Sequence, residues 1–406
     1  MTTTRRAALR MLGVSSVAAA AAGAAAAGGT AWADAAPGAE PEAAAGSASA
    51  RVPKDLRPGG ELDRVITEQE ALDNFSGSLL ITHHGRTVLA RSCGWANKAR
   101  GIRNSPDTLF GLASVAKVFT GVAISQLAQA GKLRYSDTVG THLSGFSAEV
   151  ANQVTIHHLL THSSGLGDYM GLPEYHEASR TWDRMQQVWD GIGAFVRTEK
   201  LAFPPGVGNT YSNSAYHVLN EIIAKVSGRP LETYFRENVY GPAGMSRTGA
   251  YTRPQLLTDR GIAHPYARVP GSAERVDRLD NEGFAPGAYS TCAEMARFAR
   301  MLWQAKLMNR AYTDLTLSGK IPGTGFRPGP GAPPGPPPIL FQSYGLLATL
   351  LGADWTYGHN GGSSNGAATE LSFFPRTGYA LVILSNYETE STRPVGSLAR
   401  RLIAAA

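Results

Sequence analysis

Cysteine is nearly absent. Two residues in a chain of 406 exclude a disulfide-dense scaffold and every cysteine-rich metal cluster. Charge is also sparse, at 17 % of residues against 43 % hydrophobic, which excludes a globally disordered chain. Only 8 of the 38 basic residues are lysine, and the arginines are scattered. No basic run interleaved with aromatics suggests a nucleic-acid surface, so no nucleic-acid partner is expected. Beyond the first 33 residues no stretch is long and apolar enough to span a membrane. What remains is ample chain for a buried core, about two to three domains' worth at roughly 150 residues each.

The N-terminus reads as a delivery signal. Arg5, Arg6 and Arg10 precede an Ala-rich apolar stretch from Met11 to about Ala27, and Ala31-Trp32-Ala33 has the small-x-small form of a cleavage site. Ala33-Asp34-Ala35 is a second such site. The pair in Thr4-Arg5-Arg6 resembles a twin-arginine signal. An uncleaved anchor is the weaker alternative, because the stretch is Ala- and Gly-rich. No Cys lies near its end to carry a lipid, so no stable membrane anchor is expected. Cleavage after Ala33 removes three Arg and no acids, taking the net charge from +6 to 35 − 32 = +3. A polar Ala/Gly/Pro-rich segment, residues 34–57, reads as a disordered leader. Export permits a Cys93–Cys292 disulfide, but at a separation of 199 positions two free buried thiols are favoured.

In the rest of the chain, Leu79–Thr82 and Arg86–Ser92 form a candidate hairpin about a His83-His84-Gly85 turn. From Ser114 to Gly131 the pattern becomes helical, with Val118, Val122, Ile124, Leu127 and Ala128 as a broad apolar stripe. Residues 160–165 read as a helix end. Further helices are expected over 216–226, 231–239 and from Thr291 to about Lys306, with Glu294 as capping-box partner. Ile321–Pro338 holds eight Pro and five Gly in eighteen residues and reads as an exposed loop. Strands over 341–351, 370–374 and 379–385 follow, then a helix from about Arg393 to Ala405. This order suggests an α+β fold: an antiparallel sheet built from both chain ends, flanked by helices, with a mostly helical lobe (about 132–285) inserted.

Three stretches carry candidate chemistry. Ser114-Val115-Ala116-Lys117 opens the long helix, and residues three apart share a helix face. Lys117 could then deprotonate Ser114 if burial lowers its pKa, while the helix start supplies N–H groups for developing negative charge. Alone, the tetrapeptide is more often a helix cap beside a surface lysine. In Tyr211-Ser212-Asn213, positions i and i+2 of an extended segment point one way. Tyr211 could relay a proton and Asn213 could donate to a substrate carbonyl, although such a stretch is usually a plain hydrophilic loop. In His359-Asn360-Gly361-Gly362, glycines allow close backbone approach to a ligand, although a His beside glycines is more often a turn residue. A main-chain N–H here could join that of Ser114 as an oxyanion hole. His158 and His162 stand four apart, but Leu159 occupies the Glu position of a zinc-hydrolase motif, and a packed helix end is favoured over a metal site.

Together these stretches resemble the serine beta-lactamase and penicillin-binding protein superfamily, and within it class C beta-lactamases, D-Ala-D-Ala carboxypeptidases and related esterases. The resemblance runs over about residues 72–402. The motifs are 97 and 148 residues apart, and Leu159–Leu166, Gly241–Met245 and Ser290-Thr291 add to them. It implies the beta-lactamase/transpeptidase-like form of that α+β fold. It also implies Ser114 as acylated nucleophile, Lys117 as proton acceptor and Tyr211 as the deprotonated or hydrogen-bonding partner. Asn213, His359, Asn360 and Gly361 would bind substrate, with the amides of Ser114 and Gly362 as oxyanion hole. His359 would stand where many relatives have Lys. No metal or cofactor is implied.

The chain departs from the carboxypeptidase pattern after His359, where Asn360 and Gly362 replace two hydroxyl residues that help to hold a substrate carboxylate. Ser363 and Ser364 are the nearest substitutes. The expectation is an exported, secreted or cell-wall-associated serine hydrolase, monomeric, acting on a small molecule or peptide such as a peptidoglycan stem peptide. A D-Ala-D-Ala carboxypeptidase-like activity leads. An esterase or amidase is the alternative, ahead of a beta-lactamase or a non-catalytic cell-wall-binding relative.

Overall fold

The computed structural model describes residues 52–279, 288–323, 338–351 and 354–406. The expected signal segment, most of the expected leader, the end of the expected lobe (280–285) and residues 324–337 of the Pro/Gly stretch lie outside them. The last residues expected as leader are packed instead. Residues 54–56 form a 3-10 turn, and Leu56 is fully buried. The helix α1 (Glu61–Ala71) follows, unread in the sequence although Leu62 and Ile66 recur at helical spacing.

The hairpin β1 (Gly77–His83) and β2 (Arg86–Cys93) forms as expected, with His84 and Gly85 at positive φ in its turn. The remaining strands of the main sheet come from the other chain end. They are β3 (Ile321–Pro322), β4 (Ile339–Gln342), β5 (Leu347–Leu351), β6 (Asp354–Ser363), β7 (Ala367–Phe374) and β8 (Tyr379–Ser385). Their spatial order is β3-β4-β5-β6-β7-β8-β1-β2, antiparallel throughout. This is the expected α+β architecture.

Three details differ from the sequence reading. The expected single strand over 341–351 is the hairpin β4–β5, because Ser343–Leu346 turns the chain with Gly345 at φ 81°. Ile321–Pro322 is not loop but the edge strand, where a missing N–H is tolerated. The His359–Gly362 stretch, read as lying between strands, is itself in β6.

The helix after Ser114 is α2 (Lys117–Gln129), introduced by a 3-10 turn Ala113–Ala116 and stopped at Gly131 with φ 68°. It is apolar nearly all round, so it runs through the core rather than over it. Gly121 lets α2 approach the β4–β5 turn: a Cβ there would lie 2.1 Å from the Tyr344 carbonyl oxygen. Next come α3 (Ile156–Leu160), α4 (Met185–Thr198) and α5 (Asn213–Ser227). The helix expected over 231–239 is Leu231–Phe235 continued by a π-helical turn Arg236–Tyr240. Thr291 caps α6 (Cys292–Trp303). Glu294 does not complete a capping box, because its carboxylate accepts instead from Arg247 N and Thr248 Oγ1. The chain closes with α7 (Arg393–Ala404).

Every residue of β8 is buried, as expected of a strand covered on both faces. Ala380, Val382 and Leu384 face one core, shared with α2 and α6. Tyr379, Leu381 and Ile383 face a second, under α1 and α7. This period of two also settles the cysteines. Cys292 belongs to the first core and Cys93 to the second, so the sheet separates them, and both are free and buried. No helix among the described residues is long and apolar enough to cross a membrane.

Candidate active site

Ser114 lies in the 3-10 turn, one residue after Ala113, whose φ of 46° is unusual for a residue with a Cβ. Holding it there costs on the order of 1 kcal/mol, and the tight turn presents Ser114 at the helix start. Lys117 is the one charged residue of α2 and is buried. Ser114 Oγ is 2.5 Å from the Tyr211 hydroxyl and 3.4 Å from Lys117 Nζ. Lys117 Nζ donates to Asn213 Oδ1 at 2.6 Å. Residues 97 and 96 positions apart are thus drawn onto one serine–lysine pair.

The sequence order around Tyr211 explains how. Ser212 is fully buried and caps α5 by accepting from Ala215 N. Tyr211 and Asn213, either side of it, turn to the Ser114–Lys117 pair. The stretch is a helix N-terminus rather than a strand, yet i and i+2 still converge.

His359 is buried and donates from Nδ1 to its neighbour's carbonyl, Asn360 O, at 2.6 Å. On β6, Gly361 passes close to Ser114. A Cβ there would sit 2.4 Å from Thr369 Oγ1 and 2.8 Å from both Leu112 O and Ser114 N. Thr369 Oγ1 donates to Leu112 O at 2.9 Å, tying β7 to the same turn. Gly362 follows on β6 and, like Asn360, is exposed. Ser363 and Ser364 lie in the turn after β6, where Ser363 Oγ accepts from Asn365 N and Ser364 Oγ donates to Asn365 Oδ1.

Burial sets the protonation states. It pushes the Lys117 amine down to about 7, with the Asp168 carboxylate pulling the other way. Burial, then Asp168, raises the Tyr211 phenol to about 12 against the lowering hydrogen bond from Ser114. Burial and then Lys117 depress His359 to about 4. At neutral pH the pair therefore offers a substantially neutral amine beside a protonated phenol, and His359 contributes no positive charge.

Two further neighbours bear on the site. His162 belongs to the packed helix end favoured in the sequence. It lies beyond the end of α3 at φ 57°, accepts from Ser212 N through Nδ1, and packs its ring 4.5 Å from that of Tyr211. Burial holds it at about 3, hence neutral. Asp168, six residues on, accepts from Asn213 Nδ2 at 2.8 Å. Its only sequence signal was its place just after the Thr161–Leu166 stretch.

A family model described as Beta-lactamase matches residues 62–405. The chain belongs to the beta-lactamase family. A penicillin-binding protein of Bacillus subtilis is 36 % identical over 263 residues, covering 60 % of this chain and 56 % of that protein. An esterase of Burkholderia gladioli is 31 % identical over 238 residues, covering 52 % and 59 %. The crystal structure of a penicillin-binding protein from Bacillus halodurans superposes with a TM-score of 0.72 at 25 % identity, covering 84 % of this chain and 99 % of that one. The chain spans 56–63 % of the length of the first curated relatives it matches.

Proposed function

We propose that this protein is an exported hydrolase that cleaves esters, and amides without a free terminal carboxylate, through an acyl-enzyme on Ser114. The observation that carries the reading is Ser114 Oγ held between the Tyr211 hydroxyl and a buried Lys117 amine, at 2.5 and 3.4 Å. In acylation Lys117 takes the Ser114 proton, the Oγ–carbon bond forms, and the amides of Ser114 and Gly362 receive the oxyanion. The proton then passes through the Tyr211 hydroxyl to the departing oxygen or nitrogen. In deacylation the same pair takes a proton from water, whose oxygen attacks the acyl carbon; the acyl–Oγ bond then breaks and the proton returns to Ser114 Oγ. Asn213, His359, Asn360 and Gly361 line the substrate's place.

The preference for neutral substrates rests on the third motif. His359 carries no charge, and Asn360 and Gly362 bring no hydroxyl, so this strand offers little to a carboxylate. The D-Ala-D-Ala carboxypeptidase-like reading remains the second, favoured by the similarity to the Bacillus subtilis penicillin-binding protein. Export, by the twin-arginine route, rests on Arg5-Arg6 and the Ala-rich stretch. The proposal takes the enzyme as a monomer that needs no metal, cofactor, nucleic acid or membrane partner.

The test has two parts. A fluorophosphonate probe is expected to label the wild type and not Ser114→Ala, and absence of both labelling and ester hydrolysis in the wild type overturns the reading. A p-nitrophenyl ester is then compared with a diacyl-D-Ala-D-Ala peptide. Turnover of the ester alone supports the neutral-substrate reading, whereas efficient D-Ala release shifts it to the carboxypeptidase.

A further inference from the structure

Three consecutive residues, Gly167-Asp168-Tyr169, are bonded in parallel to three others, Ser212-Asn213-Ser214. Ser212 Oγ donates to Gly167 O at 2.6 Å, Asn213 Nδ2 to Asp168 Oδ2 at 2.8 Å, and Tyr169 N to Ser214 Oγ at 3.0 Å. Ser214 Oγ in turn donates to the Glu199 carboxylate behind it. The middle rung bears on the chemistry, because Asn213 is the residue that accepts from Lys117.

We infer that Asp168 is a positioning residue: its carboxylate fixes the orientation of the Asn213 amide and so aims the Lys117 amine at Ser114. The inference rests on the proposed role of Lys117 as the base. The physical reason lies in the inventory of donors and acceptors. A side-chain amide has a donor end and an acceptor end that occupy nearly the same space, and only its partners decide which way it points. An ionised carboxylate accepts and never donates. Facing Asp168, Asn213 must turn its NH2 outward, which leaves Oδ1 on the Lys117 side. A neutral Lys117 then donates one N–H to Oδ1 and keeps its lone pair for the Ser114 proton.

Aspartate meets a second demand that asparagine does not. Its other oxygen, Oδ1, accepts from Met170 N at 3.0 Å and caps the turn that carries the 167–169 segment. Both oxygens are therefore acceptors at once, one holding the segment and the other Asn213. An Asn at 168 has a single acceptor and must abandon one of these contacts. The charge matters as well. The titratable groups around Lys117 are Tyr211, Tyr216, His162, His359 and Asp168, with Glu199 beyond Asp168. The histidines are held neutral and the tyrosines protonated, so Asp168 is the anion that raises the Lys117 pKa.

The test is the pH profile of kcat/KM with the p-nitrophenyl ester in wild type, Asp168→Asn and Asp168→Ser. Serine retains a short acceptor able to cap the turn but does not reach Asn213, so one variant spares the fold. Because the base must be deprotonated, the rate rises with pH through the Lys117 pKa. Removing the anion lowers that pKa, so the rising limb is expected to move to lower pH in both variants. The plateau is expected to fall about 10- to 100-fold, the size of a lost charge-assisted hydrogen bond. In an Asn213→Ala background the plateau loss on changing Asp168 should largely vanish, since coupled residues are not additive. A purely structural Asp168 would lower the melting temperature and leave the limb in place, which overturns the inference. Lys117→Ala is run alongside: if it retains full acylation, the base assignment fails instead.

Discussion

Lys117 Nζ donates to Asn213 Oδ1 across 2.6 Å, closer than its 3.4 Å approach to Ser114 Oγ. The amine is thus held first by an amide and only loosely by the nucleophile, so Asn213 sets its direction. Asn213→Ala is expected to lower kcat/KM by about 10- to 100-fold. Asn213→Asp places an anion against Lys117 and is expected to move the rising limb of the pH profile to higher pH. Steady-state kinetics over about pH 5–9, either side of the expected limb, checks both.

Lys117 also makes stability depend on pH. Its folded-state value is about 7 against an ordinary 10.5, so between these values the unfolded chain binds more protons than the folded one. The Lys117 contribution destabilises the fold at low pH and relaxes as pH rises from about 7 to 10.5. Lys117→Met, of similar length and uncharged, is expected to raise stability at neutral pH and below while abolishing ester hydrolysis. The gain is on the order of a few kcal/mol, at about 1.4 kcal/mol for each tenfold loss of proton affinity, and should shrink as the solution becomes strongly alkaline. Urea unfolding at a series of pH values measures it.

Gly361 and Gly121 separate activity from stability. A Cβ on Gly361 meets Ser114 N and Leu112 O at 2.8 Å, so Gly361→Ala must push β6 off the nucleophile turn. A loss of about 100-fold or more in acylation rate is expected, as for removal of one oxyanion donor. A Cβ on Gly121 meets the Tyr344 carbonyl oxygen at 2.1 Å, where α2 packs against the β4–β5 turn. Gly121→Ala is expected to cost about 1–3 kcal/mol of stability by overpacking. Acylation rates and thermal melts on both variants distinguish the two effects.

The two thiols are expected to be inert in the folded enzyme. Burial pushes Cys93 up to about 12 and raises Cys292 further, so neither forms thiolate near neutrality. A disulfide-exchange reagent should titrate no thiol in native protein and two after unfolding. Finding fewer than two would reveal a disulfide and contradict the placement of the cysteines on opposite faces of the sheet.

The sequence pattern carried the architecture well where it was periodic. The stretch at 379–385 and the helix stop at Gly131 came out as read, because apolar alternation and a left-handed glycine act over a few residues. The bend at Gly345 carried a local glycine signal that the single-strand reading passed over. Distant partners were a different matter, and Glu294 looked like a capping-box residue until Thr248 and Arg247 claimed it. In the site, Ser114, Lys117, Tyr211, Asn213 and Gly361 were legible because a shared motif pattern put them together. Asp168 was not, since its bearing on the site comes from facing an amide 45 residues away.

The amino-acid sequence by itself determined which groups are available: one serine three residues before the single charge of an apolar helix, and a glycine where a strand must pass a nucleophile. It also determined the family, because those residue types recur in order over most of the chain. Only the tertiary structure decided their states. Burial lowers the Lys117 pKa and leaves His359 without charge, and Asn213 comes to lie between the Asp168 carboxylate and the lysine, donating to one and accepting from the other. Each of these is an effect of desolvation or of a partner's oxygen, and both exist only once the chain has closed around them.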